Sequence, residues 1–287
     1  MKINVLNSPR LLELKKQRNK IFFNKFLLYI FAFLIIFAGL VYISRMPAFN
    51  ISSVEIIGNE TVDADIIKAV VAQETSGNYL WFFPKKNILF YPKNNITKEL
   101  QNRFKRFKNI NFSIKDNKIL EIVLTERIAV YTWCGDTYLA VGLPSDNPTT
   151  KEEKCYFVDD AGFIFDEAPY FSAGVYFRFY GIADRSYFSP KNFTSLISFK
   201  EALLVMGLKP VTLYIEENGN AKILLSSRTL SIGPEIIFKI DSDLSIVAKN
   251  LETVVNTEPL LSDLKNKYSS LLYIDLRFGN KVYYKFR

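Results

Sequence analysis

Few clusters in this chain could do chemistry, and each has a plainer reading. Asp159 and Asp160 are adjacent carboxylates, which invites a general acid/base role. Neighbours on a strand point to opposite faces, however, so the run VDDAG reads better as a turn between two strands. Ser226-Ser227-Arg228-Thr229 offers hydroxyls and a guanidinium of the kind that holds phosphate. It lacks the glycine-rich loop and following helix N-terminus that such a site needs. The chain has no histidine, which removes the commonest general base and metal ligand. It also has no P-loop, G-x-S-x-G, dinucleotide fingerprint or metal-ligand cluster. The expectation is a protein without catalytic residues, metal, cofactor or small-molecule substrate. Cys134 and Cys155 flank a polar, proline-containing loop at the edges of the runs YTWC and CYFV. They read either as a bridge across that loop or as two unpaired thiols.

The elements that would position these residues begin with a membrane segment. Phe26 to Ile43 is an uninterrupted apolar run without charge or proline, long enough to cross most of a hydrocarbon core of roughly 30 Å. Before it lie seven basic residues (Lys2, Arg10, Lys15, Lys16, Arg18, Lys20 and Lys25) against Glu13, so residues 1–25 hold +6 of the net +8. A cleaved signal peptide would have a shorter apolar region and a better site than Arg45-Met46-Pro47-Ala48. The pattern therefore predicts a retained anchor over 26–43 with the head, 1–25, in the cytoplasm and the rest outside the cytoplasmic membrane. With the charge concentrated in the head, no basic patch on a folded domain suggests nucleic acid as a partner. The exported side is also where a disulfide can persist.

After the anchor, residues 49–127 show the order β-α-α-β-β. FNISSVEIIGN alternates as a strand, and Asp63 can cap a helix with Ile66, Ile67, Val70 and Val71 on one stripe. Ile96, Leu100, Phe104 and Phe107 repeat at helical spacing, with Lys98, Arg103, Lys105, Arg106 and Lys108 on the other faces. That basic side reads as a solvated face or as a contact with the nearby bilayer surface. NINFSIKDNKILEIVLTER then forms a hairpin about Asp116-Asn117.

A short basic head, one span and a domain opening V-x-I-x-G-N and closing on E-R resemble the FtsQ/DivIB family of bacterial cell-division proteins. The residues that carry the resemblance are Val54, Ile56, Gly58 and Asn59, then Glu126-Arg127 before AVYTW. Where that family has proline soon after E-R, this chain has Ile128-Ala129. The resemblance implies that 49–127 is a POTRA domain. It continues in the V-D-x-x-G-x-x-F turn at Asp159, in Ser231-Ile232-Gly233, in a helix with Lys239 near its start, and in Ile274-Asp275-Leu276-Arg277.

Residues 128–287 read as a mixed sheet domain with packed helices. The strands are AVYTW, YLAVG, CYFVDDAGFIF, GVYFRFYG and the pair about Asn218-Gly219. One helix follows Ser189 as cap, with Pro190 in its first turn, and another covers DSDLSIVAKNLETVVNTEP. The expected class is thus α+β: one transmembrane helix, a POTRA domain and a C-terminal sheet domain.

LLYIDLRFGNKVYYKFR closes the chain as a hairpin. A three-residue loop, Gly279 to Lys281, pairs Phe278 with Val282, Leu276 with Tyr284, Ile274 with Phe286 and Asp275 with Lys285. Its last strand then keeps one free edge, which nothing later in the chain covers. Lys281, Lys285 and Arg287 fit an edge blunted against aggregation. A docking edge for an added strand is the other reading, and the resemblance favours it. The docking residues would be Arg277, Phe278, Gly279, Asn280, Lys281, Val282, Tyr283, Tyr284, Lys285 and Phe286. The partners implied are small single-span coiled-coil division proteins of the FtsB/FtsL or DivIC/FtsL type. The implied role is a scaffold that helps regulate septal peptidoglycan synthesis at the division site. A different POTRA-bearing envelope assembly or transport factor is the alternative. A cell-wall hydrolase working through carboxylates would need two acids facing one cleft.

Overall fold

An apolar helix sets the layout of the first part of the molecule. The computed structural model describes residues 9–135, 154–171, 175–184, 186–189, 191–227 and 233–287. Its chain divides into two units, Met1–Glu126 and Arg127–Arg287. Helix α1 (Pro9–Ser44) begins well before the apolar run and continues through it. Its stretch Glu13–Ser44 is long and apolar enough to cross a membrane.

A short 3-10 turn (Pro47–Phe49) leads into β1 (Ser53–Ile57), so the strand starts later than the alternation of FNISSVEIIGN suggested. Asn50, within that run, is buried and donates its amide to Ser44 O and Met46 O instead of serving as a strand position. Helix α2 (Ala64–Thr75) is capped by Asp63, whose carboxylate accepts from Asp65 N. It buries Ile67, Val70 and Val71, while Ile66 faces solvent. Two short strands, β2 (Asn78–Tyr79) and β3 (Phe83–Pro84), form a hairpin before α3 (Lys93–Arg103). This helix ends sooner than its spacing suggested. Phe107 opens β4 (Phe107–Lys115) and packs on Phe104 from there.

β5 (Ile119–Glu126) completes a sheet ordered β1-β5-β4. β5 runs parallel to β1 and antiparallel to β4, and both turn residues Asp116 and Asn117 have left-handed backbone. Ile67, Val70, Ile96, Leu100, Leu120 and Ile122 form the core beneath α2 and α3. Gly58 lies against β5, where a Cβ would meet Leu124 O at 2.3 Å. Only glycine fits that approach, and its φ of +84° suits glycine as well.

The second unit is one large mixed sheet with helices packed on it. In chain order its strands are β6 (Tyr131–Trp133), β7 (Cys155–Val158), β8 (Ile164–Ala168), β9 (Arg178–Tyr180), the short β10 (Ala183–Asp184) and β11 (Tyr187–Phe188), β12 (Pro210–Ile215), β13 (Asn220–Leu225), β14 (Glu235–Lys239), β15 (Leu271–Phe278) and β16 (Lys281–Phe286). Among the described residues nine of them join in the order β16-β15-β14-β13-β12-β9-β6-β7-β8, and β10 pairs with β11 apart. The helices are α4 (Phe193–Val205), α5 (Leu244–Val255) and α6 (Leu260–Lys267). Phe199, Leu203, Leu251 and Leu260 from these helices share one buried cluster with Phe179, Leu213, Ile223, Ile236, Phe238 and Ile274 from the sheet.

Two expectations change here, and one element was not expected. Ser189 does not cap α4: its φ is +42° and its carbonyl closes a turn with Asn192 N, so the helix starts later, after Asn192. Lys239 ends a strand rather than starting a helix. EIIFK fits between β13 and β15 because Ile236 and Phe238 alternate onto the core. Helix α6 answers no pattern read from the sequence. YLAVG, the proline-containing loop between the cysteines, Pro190, Arg228-Thr229 and Ser231-Ile232 lie outside the described residues.

Candidate functional site: the terminal hairpin and the clamps around it

The hairpin β15–β16 ends the sheet, and β16 has a neighbour on one side only among the described residues. Its register differs from the three-residue-loop expectation. The loop is Gly279-Asn280 alone, with Phe278 opposite Lys281. β15 then bulges before Asp275, which brings Asp275 opposite Tyr283 and Ile274 opposite Tyr284. A second irregularity brings Leu271 opposite Phe286. The expected pairs of Asp275 with Lys285 and Ile274 with Phe286 are therefore absent. An extra residue on one strand resets which faces align, and the bulge does here what the longer loop was expected to do. Val282, Tyr284 and Phe286 still turn toward the core, while Lys281, Tyr283 and Lys285 face out.

The bulge coincides with a side-chain pair in the run I-D-L-R. Arg277 doubles back on Asp275: Nη2 donates at 2.6 Å to Oδ2, and Nε at 2.9 Å to Oδ1. The Arg277 backbone N–H also donates to Asp275 Oδ1, at 3.1 Å. Burial alone would push the Asp275 carboxyl up, but these bonds and the charge of Arg277 outweigh it and hold the pKa below its ordinary value. The side-chain bonds to Asp275 push the guanidinium pKa up. Much of the fork that was expected to grip a partner is thus engaged within the hairpin. Residues i and i+2 share a face of a strand, and that spacing was the available signal for the pair.

The exposed surface of the hairpin mixes two aromatic rings with basic side chains. Phe278 and Tyr283 meet edge to face with ring centroids 5.3 Å apart, and both are about half exposed. Tyr284 and Phe286 stack edge to face on the other side. Gly279 and Asn280 are exposed at the tip, where Asn250 of α5 lies at the long end of hydrogen-bond reach. Arg287 N donates to Ser270 O at 2.8 Å, so its N–H points inward to β15. In an antiparallel strand these directions alternate, and both irregularities lie in β15. The N–H and C=O of Val282, Tyr284 and Phe286 therefore line the open edge.

The remaining chemistry-bearing residues serve as clamps. Glu126 and Arg127 are adjacent, and each is fastened inside its own unit. The Glu126 carboxylate accepts from the backbone N–H groups of Glu60, Thr61 and Val62 at 3.0–3.2 Å. Burial would raise its pKa, but the hydrogen bonds from Val62, Thr61 and Glu60 win and lower it. Arg127 donates to Asp159 Oδ2 at 2.5 Å and lies over the Phe163 ring at 3.7 Å. Asp159 Oδ1 accepts from Ala161 N and Phe163 N, closing the turn between β7 and β8. Asp159 is buried and Asp160 exposed, so the adjacent carboxylates do not face one cleft. Cys134 and Cys155 form a disulfide.

A cavity of about 600 Å³ lies near the other end of the sheet, lined in part by Lys154, Glu167, Tyr170, Phe171 and Arg178. Its charges are engaged with their surroundings: Lys154 pairs with Glu167, and Arg178 donates to Phe171 O. No family model matches the sequence, and no curated protein matches it either.

Proposed function

We propose that this chain is a membrane-anchored, non-catalytic scaffold of bacterial cell division, of the FtsQ/DivIB kind. Its head is cytoplasmic, α1 spans the cytoplasmic membrane, and the chain after α1 lies outside at the division site. It recruits small single-span coiled-coil partners of the FtsB/FtsL or DivIC/FtsL type by strand addition along β16, and so helps regulate septal peptidoglycan synthesis. The observation that carries this reading is the position of β16 at the end of the sheet, with an open row of backbone groups beside exposed Phe278 and Tyr283. Support for reading residues 49–127 as a POTRA domain comes from β1, α2, α3, β4 and β5 in that order, with β5 central between β1 and β4. In E-R, Glu126 and Arg127 act as clamps, which supports a structural reason for that pair.

The test exploits the alternation along β16. Proline at Val282 or Tyr284 removes an outward N–H and leaves the inward bonds in place. Full-length chain carrying Val282→Pro or Tyr284→Pro should stay folded by circular dichroism and lose co-purification with the coiled-coil pair. Proline variants that remain folded and bind like the parent would remove the edge from this role. Absence of a labelled chain from the division site would remove the division role itself.

A further inference from the structure

The β2–β3 hairpin carries an apolar tip that neither core absorbs. Leu80 and Trp81 are 83% and 87% exposed, and both take left-handed backbone, with φ of 46° and 67°. Such turns favour asparagine or glycine, and a leucine-tryptophan tip is a poor choice for water on both counts. Just beyond the hairpin, Leu89 and Phe90 are also exposed.

This hairpin lies against α1 inside the same unit. Phe82 and Phe83 meet Phe37 edge to face, with centroids 5.5 Å and 5.9 Å away. Phe37, Val41 and Ser44 are the positions of the apolar segment that lose exposure, and their spacing is one helical face. Phe37 sits six residues before Ile43, the end of the apolar run, hence about 9 Å inside it at the helical rise. Arg45, the first charge beyond the helix, donates to Phe82 O and Trp81 O at 3.1 Å and 3.2 Å. Lys85 and Lys86 follow the hairpin directly.

We propose that the β2–β3 hairpin is a membrane-interface wedge, with Leu80, Trp81 and Phe82 inserted at the headgroup–acyl boundary of the leaflet that α1 leaves. The partner is the lipid bilayer itself, and the proposal rests on reading α1 as a membrane span. If Phe37 is at acyl depth, the rings packed on it are at that depth too. The alternative surroundings for them would be water. Tryptophan is favoured at this boundary, and Arg45, Lys85 and Lys86 match anionic headgroups above it. Continuity with the span, rather than exposure alone, selects lipid as the occupant.

The chain has two tryptophans, so Trp81 can be read by difference from Trp81→Phe. Full-length protein is reconstituted in phosphatidylcholine–phosphatidylglycerol vesicles with brominated acyl chains. The expected result is a blue-shifted, bromine-quenched emission present in the parent and lost in Trp81→Phe. Leu80→Glu should shift that component to the red and weaken its quenching; unchanged quenching in this variant overturns the proposal. Phe33→Trp in the Trp81→Phe background, read by difference from Trp81→Phe, reports on α1 alone. Quenching of the Phe33→Trp probe without quenching of Trp81 overturns the wedge and leaves the anchor standing. Quenching of neither overturns both. Trp81 that is unquenched yet shielded from aqueous iodide is covered by protein, which also overturns the proposal.

Discussion

Glu126 shows how one side chain organises a loop it does not belong to. Its carboxylate gathers three consecutive backbone donors, at Glu60, Thr61 and Val62. Glu126→Ala leaves them to water and should cost about 1–2 kcal/mol, read from urea unfolding of the detergent-solubilised chain. Glu126→Gln, which keeps an acceptor, should cost less. The folded pKa is depressed, so this stabilisation is present above the ordinary value of 4.5 and is withdrawn as pH falls through the lower folded value. Parent and Glu126→Ala should therefore converge in stability in acid and separate at neutral pH. Asp159 is a harsher case because its side chain and that of Arg127 are only 2% and 12% exposed. Asp159→Ala takes a carboxylate partner from a largely buried guanidinium and the acceptor from two N–H groups, at an expected cost of about 2–4 kcal/mol in the same unfolding measurement. The sequence displayed Glu126-Arg127 as a motif without a reason for it. Its bonds reach residues more than thirty positions away, and spacing along the chain carries no sign of them.

Elements were legible where a local rule governed them and obscure where a neighbour did. Asp63 and its helix, the Asp116-Asn117 hairpin and the turn at Asp159 all follow from residue type at a fixed offset. Phe107 misled because helical spacing from Phe104 is also the spacing of a strand that begins just after a helix ends. EIIFK was obscure because a strand of five residues between two others gains its stability from those partners. The terminal hairpin showed both behaviours. Its strands and turn were readable, but the register includes an irregularity between Asp275 and Phe278, where Arg277 bonds Asp275, and residue alternation alone does not show an extra residue there. Between β6 and β7 the link is covalent. The Cys134–Cys155 bridge spans a sequence separation of 21 residues. Chain-entropy reasoning gives about 3 kcal/mol for a loop of that size. Cys134→Ser with Cys155→Ser should lower stability by about that amount against urea, and reducing agent should do the same to the parent while leaving the double variant unchanged.

For the whole molecule, charge and hydropathy are divided along the chain. The head holds +6 of the net +8, and the apolar run follows directly. If that asymmetry sets orientation, replacing Lys15, Lys16, Arg18, Lys20 and Lys25 with glutamate should invert or scramble it. Protease added outside spheroplasts should then fail to digest a fraction of the C-terminal unit that it reaches in the parent. The coarse plan was readable because a long apolar run and runs of alternating residues are strong signals. The place of β16 at the end of the sheet, among the described residues, agrees with the sequence pattern, whereas the hairpin beside α1 was seen only as a loop rich in aromatics. What distinguishes that loop is its contact with Phe37, which sequence spacing does not reveal.

The seam at Ser44 has a mechanical consequence. Its carbonyl receives the amides of Asn50 and Asn87, both buried, while Arg45 reaches to Trp81 and Phe82. Within the first unit, therefore, the β1-β5-β4 sheet does not hang from α1 on a slack tether; it is bolted to it. Tilting or rotating α1 in the plane of a membrane would swing the β1-β5-β4 sheet through the same angle. Replacing these two asparagines would take both amides from the Ser44 carbonyl and loosen the lever, leaving Arg45 and Phe37 to hold it.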